Sequence, residues 1–161
     1  MAKYRLLTTE ELKLFEKEFI DFLVVNGIIS DSWEKMKIEN IEEADKIIDL
    51  FSDIIFEKIL RQNSYLEQKL KSQLFCFYFG KKKAELMLIN YTGDSDISEM
   101  SYDEIIEDAN NTSGMFKINY QTKAYSTTRE KEMFDLIQTG CEITDGDIFK
   151  KLKAYYIKQS N

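Results

Sequence analysis

Between Lys123 and Arg129 the chain runs Lys, Ala, Tyr, Ser, Thr, Thr, Arg, setting the hydroxyls of Ser126, Thr127 and Thr128 between two cations. If a helix begins there, its unpaired amides and the positive end of its dipole join Lys123 and Arg129 as a seat for a phosphate or carboxylate. A small anionic ligand sensed at this 123–129 junction is one candidate function. The simpler account is a capped helix start, with the threonines holding the first amides and Arg129 paired to a surface acid.

A second constellation is acidic. Glu42, Asp45, Asp49, Asp53 and Glu57 follow one another at three- and four-residue steps, which on a helix lines their carboxylates along one face. Such carboxylates can hold magnesium or manganese when another helix adds oxygens, so Asp45, Asp49 and Asp53 are candidate ligands in a hydrolase of nucleotides or phosphoesters. Lys46 and Lys58 interrupt the row, and a solvated helix face has the same composition. No cofactor is expected outside this alternative, which would need a divalent metal.

Other chemistry is narrowed by what the 161 residues lack. There is no histidine, so neither a Ser-His-Asp nor a Cys-His relay can be assembled, nor a zinc site of the usual His/Cys kind. Asp, Glu, Lys, Tyr and metal ions can still move protons, so an enzyme is made less expected and not excluded. The cysteines, Cys76 and Cys141, lie far apart. That spacing suits a reducing compartment, in which each is expected as a small core hydrophobe, Cys76 inside a strand and Cys141 in a turn between helices where access is the alternative. Asp94, Ser95 and Asp96 open like a calcium loop, but Glu99 stands where glycine is required and Ile105 where a bidentate acid belongs. Lys81, Lys82 and Lys83 beside Phe75, Phe77, Tyr78 and Phe79 could stack and neutralise single-stranded RNA. A net charge of −7 opposes nucleic acid and anionic lipid, and lysines at a hairpin tip commonly protect a sheet edge.

The elements that must position these residues read as follows. Thr8 and Glu11 have capping-box spacing, and Leu12, Phe15, Phe19, Phe22 and Leu23 continue one helical face to a stop at Gly27. Ser30 or Ser32 caps a short helix carrying Trp33 and Met36. Asn40 and Glu43 start a longer one, ending near 61–63, whose stripe of Ile41, Ala44, Ile48, Phe51, Ile55 and Ile59 is widened by Ile47, Ile54 and Leu60 until neighbours must cover it. From Gln73 the pattern becomes short, aromatic and alternating, which predicts an antiparallel hairpin over 73–91 with its turn at Gly80 to Lys83. A short helix over 102–109, a loop over 110–114 and a third strand over 115–125 follow. Thr127 with Glu130 caps a helix ending at Gly140, and Thr144 or Asp145 caps a last one bearing Ile148, Phe149, Leu152, Tyr155 and Tyr156. The class is α+β: a small antiparallel sheet packed against about five or six helices, in a single domain over 1–161. No apolar run approaches the roughly 20 residues that span a bilayer, and none has signal-peptide form, so the protein is expected in the cytoplasm.

Three stretches carry a family resemblance: Lys3, Tyr4, Arg5, Leu6, Leu7 and Thr8 leading to Glu18, Phe19, Ile20, Phe22 and Leu23; Leu50, Phe51, Ser52 and Asp53; and Lys123, Ala124 and Tyr125 followed by Arg129, Glu130 and Phe134. Together they resemble an uncharacterised family of short cytosolic proteins of Bacteroidota, a domain of unknown function spanning essentially the whole chain. The resemblance implies a single-domain bacterial protein and supplies no substrate, cofactor or catalytic residue. The expected function is therefore a non-enzymatic protein-binding or regulatory module, meeting another protein through an exposed part of the sheet or the acidic helix face.

Overall fold

The computed structural model describes residues 2–111 and 114–160. Its residues group into two compact units, Met1–Ile59 and Leu60–Asn161. Among the described residues no helix is long and apolar enough to cross a membrane.

The first unit is helical. Helix α1 (Thr9–Leu14) opens on the expected capping box: Thr8 accepts from the Glu11 amide, and Glu11 accepts from the Thr8 amide. One helix was expected as far as Gly27, and two are found. Phe15 leaves helical geometry at φ −106°, ψ 25°, and α2 (Glu16–Val25) restarts from it. The break leaves Phe15, Phe19 and Phe22 all packed on a core of Leu7, Phe51 and Ile55. Gly27 takes φ +75° beyond the end of α2, as a stop residue should. Helix α3 (Ser30–Glu39) buries Trp33 but is preceded by Ile29, with no side-chain cap from either expected serine. Helix α4 (Ile41–Gln62) buries Ala44, Ile47, Phe51, Ile55 and Leu60. Its stripe is narrower than its sequence suggests, since Ile41 and Ile54 are 61% and 51% exposed.

The second unit is built on a five-stranded antiparallel sheet in the order β4-β3-β2-β1-β5. The expected hairpin is β2 (Gln73–Phe79) with β3 (Lys83–Tyr91), and the expected third strand is β4 (Phe116–Ala124). Two further strands, β1 (Tyr65–Lys69) and β5 (Glu142–Thr144), complete the sheet. Leu74, Cys76, Met87 and Ile89 project from one face into a core shared with Ile97, Ile105, Phe149 and Leu152. Ile97 lies in a single 3₁₀ turn (Ile97–Glu99), while α5 (Tyr102–Asn111) brings Ile105 and α7 (Asp147–Ser160) brings Phe149 and Leu152. Helix α6 (Arg129–Gln138) buries Met133 and Phe134. The α+β class holds, with seven α-helices among the described residues where five or six were expected. Residues 112 and 113 of the expected loop over 110–114 lie outside the described residues, and 110–111 extend α5.

Candidate functional site

The 123–129 junction is where the sheet's edge strand hands over to α6. Thr128, one residue later than expected, is the N-cap, accepting from the Lys131 amide at 3.2 Å. Position N3 is therefore Lys131, and Glu130 has no capping-box role. The amides that would bind an anion are taken by the chain's own carboxylate: Glu132 Oε1 accepts from Ser126 N at 2.8 Å and Thr127 N at 3.4 Å, with Lys123 Nζ at 3.4 Å. Burial would raise the Glu132 carboxyl, and these donors outweigh it, holding the group below the ordinary carboxylate range. Sequence inspection missed Glu132 because its partners lie five and six residues away, a separation that becomes contact only when 125–128 folds back. An acid in the first turn beside Lys123 was the signal available.

Arg129 faces inward. Its Nε donates to the Phe79 carbonyl at 3.1 Å, Nη1 to the Leu60 carbonyl at 2.9 Å and Nη2 to the Asn63 carbonyl at 2.7 Å, with Ser64 Oγ at 3.3 Å. The planar fork thus gathers three carbonyls from two segments, the end of α4 and the end of β2, a use for which a guanidinium is suited. Beside it the Tyr125 hydroxyl donates to the Gly80 carbonyl at 2.6 Å, and its ring stacks on Phe79 at 7° between planes. Burial pushes this phenol up to about 12 against the opposing pull of Arg129.

The structure brings Lys123 and Thr127 to the mouth of a groove of about 420 Å³. The registers Phe77↔Leu86, Phe79↔Ala84 and Leu86↔Gln121 put Phe77, Phe79, Ala84, Leu86 and Gln121 on one face, which floors the groove. Helix α6 supplies a wall with Glu132, Asp135 and Leu136. The face opposite the buried core is therefore apolar in its middle and charged at its rim. Alternating Phe75, Phe77 and Phe79 were the sequence signal for this floor, since residues two apart share a face.

The acids of α4 are placed differently. Asp45 is exposed, whereas Asp53 receives the amides of Lys3 at 2.7 Å and Tyr4 at 3.1 Å, and Glu57 receives the Tyr4 hydroxyl and Lys3 Nζ. The lower part of the acidic row thus fastens the N-terminal segment. Among the described residues no group of three or more Cys, Asp or Glu side chains is close enough together to hold a metal ion. Asp96 caps its 3₁₀ turn by accepting from Ser98 N at 3.0 Å. Cys141, like Cys76, is a buried core residue as expected, 4% exposed; the helix-to-helix turn that would have left it accessible is replaced by β5, which carries the segment after α6 into the sheet.

A family model for a family of unknown function, DUF6495, matches residues 1–157, nearly the entire chain. The chain belongs to that family. Both the groove and the Arg129 clasp lie wholly inside the DUF6495 match. No curated protein and no solved structure matches the chain.

Proposed function

We propose that this DUF6495 protein is a non-enzymatic binding module that engages another protein through the groove between α6 and the open face of the sheet. The observation that carries the proposal is the groove itself, where the apolar side chains of Phe77, Phe79 and Leu86 are bordered by Glu85, Lys123, Glu132 and Asp135. An apolar surface ringed by polar groups gains from being covered by a partner. Its three acids are engaged in structural bonds: Glu132 holds two amides, Asp135 pairs with Lys131 at 3.0 Å, and Glu85 is held by Tyr120 and Lys153. The cytoplasm of a bacterium, in keeping with the Bacteroidota resemblance, is the proposed setting, and two buried, free thiols are compatible with it.

Affinity purification of the intact protein from its native cell, run beside a Leu86→Gln variant of unchanged circular dichroism, tests the proposal. A stoichiometric companion recovered with the wild type and lost with the variant supports it. Recovery of the wild-type chain alone, or retention of the companion by the variant, overturns it.

A further inference from the structure

The two edges of the sheet are finished differently. The β5 edge is only three residues long, one of the ordinary ways of blunting an edge. The β4 edge is nine residues long and pairs with β3 through nine consecutive residues, without bulge or proline. The Thr92 amide donates to the Met115 carbonyl at 2.9 Å, which sets the phase of this ladder. In an antiparallel pair, alternate residues bond inward, so the N–H and C=O groups of Phe116, Ile118, Tyr120, Thr122 and Ala124 point away from the sheet.

The side chains of β4 divide by chemistry as well. Phe116, Ile118 and Tyr120 lie on the face of the buried core, and Phe116 and Ile118 border a cavity of about 250 Å³ shared with Tyr155 and Tyr156 of α7. Lys117, Asn119, Gln121 and Lys123 lie on the other face, where Gln121 and Lys123 border the groove of α6. Lys83 stands directly across from Ala124, and Lys81 and Lys82 precede it in the turn, so the far end of the edge is basic in an acidic protein. A pocket therefore flanks the edge on each face, one lined by aromatic rings together with Gln159 and Ser160, and one with Lys123 at its border beside Glu132 and Asp135. Edge amides that supply affinity and alternate pockets that supply selectivity are the parts strand addition uses.

We propose that β4 accepts, as a sixth strand, an extended segment of a partner protein in which apolar residues alternate with acidic ones. Apolar side chains lie on the Phe116, Ile118 and Tyr120 face, and carboxylates lie over Lys117 and Lys123. The inference rests on the binding-module proposal and names its partner class. A second copy of this chain is a poorer occupant: the antiparallel register that pairs the whole of β4 with itself sets Lys117 opposite Lys123 of the copy, twice, and like charges directly opposite are destabilising.

Fluorescence anisotropy with the intact protein and labelled nine-residue peptides tests this. The probes are alternating Val/Glu, alternating Val/Lys, and the Val/Glu composition in block order. The alternating Val/Glu peptide is expected to bind at least about tenfold more tightly than the other two. Thr122→Pro removes one outward N–H and no bond to β3, and is expected to weaken binding about tenfold with circular dichroism unchanged. Lys117→Glu combined with Lys123→Glu is expected to move the preference to the Val/Lys peptide. No binding, equal binding of the three peptides, indifference to Thr122→Pro, or a dimer by sedimentation that Thr122→Pro dissociates would overturn the proposal. If the native companion is lost with Leu86→Gln but kept by Thr122→Pro, strand addition alone falls and the groove remains the binding surface.

Discussion

Glu85 is a carboxylate 8% exposed within the sheet, and its two partners explain why it is tolerated there. The Tyr120 hydroxyl donates to it, and Lys153 Nζ of α7 lies at 2.5 Å. Burial raises the Glu85 carboxyl, but bonds from Lys153 and Tyr120 outweigh burial and hold it below its ordinary 4.5. The bond to Glu85 raises Lys153 above its ordinary 10.5. A lowered carboxyl stabilises fully above the unfolded value of 4.5 and loses its effect as pH falls through the folded one. A raised ammonium stabilises fully below 10.5 and loses its effect as pH rises through its folded value. Glu85→Gln is therefore expected to cost roughly 2 kcal/mol in urea unfolding between about pH 5 and pH 10, with the gap to wild type narrowing below that window. A gap that widens on acidification would contradict this account. The two thiols make a second prediction at this scale. Cys76 and Cys141 are both pushed up by burial, so a chromogenic disulfide reagent should react slowly with the native protein and with both thiols at once in guanidinium.

Arg129 ties elements together. One guanidinium holds the carbonyl of Leu60 near the end of α4, that of Asn63 just beyond it and that of Phe79 at the end of β2, from the first residue of α6. Arg129→Met leaves those carbonyls without their donors and is expected to cost roughly 3 kcal/mol, measured by urea unfolding. Arg129→Lys should recover little, because a single ammonium cannot reproduce the fork. The paired residues explain which elements were legible. The hairpin of β2 and β3 announces itself through local alternation, as do the caps at Thr8 and the stops at Gly27 and Gly140. Strand β1 carries one buried residue, Leu66, among Tyr65, Glu67, Gln68 and Lys69, and becomes a strand because β2 lies beside it. Strand β5 exists only because Glu142 to Thr144 meets Glu67 to Tyr65 across a long chain separation. Gly146, at φ +81°, is required by that meeting, since a Cβ there would lie 2.4 Å from the Tyr65 ring.

At the scale of the molecule, each unit has its own apolar core, and most of the acid excess lies within Met1–Ile59. The net charge of −7 governs encounters at a distance, whereas Lys81 to Lys83 act only locally. Labelled single-stranded RNA should accordingly show no change in anisotropy on adding the protein at physiological ionic strength, and saturable binding there would return the lysine tip to the list of candidate sites. The sequence alone determined the α+β class, the central hairpin, the third strand and the helix starts at Thr8 and Asn40, since these follow from periodicity and side-chain-to-backbone bonds within a few residues. Tertiary structure alone decided that Arg129 turns inward, that Glu132 fills the seat expected for an external anion, and that β4 ends as an open edge between two pockets. Those outcomes depend on groups far apart in the chain competing for the same amides and carbonyls, and local pattern carries no record of which competitor wins.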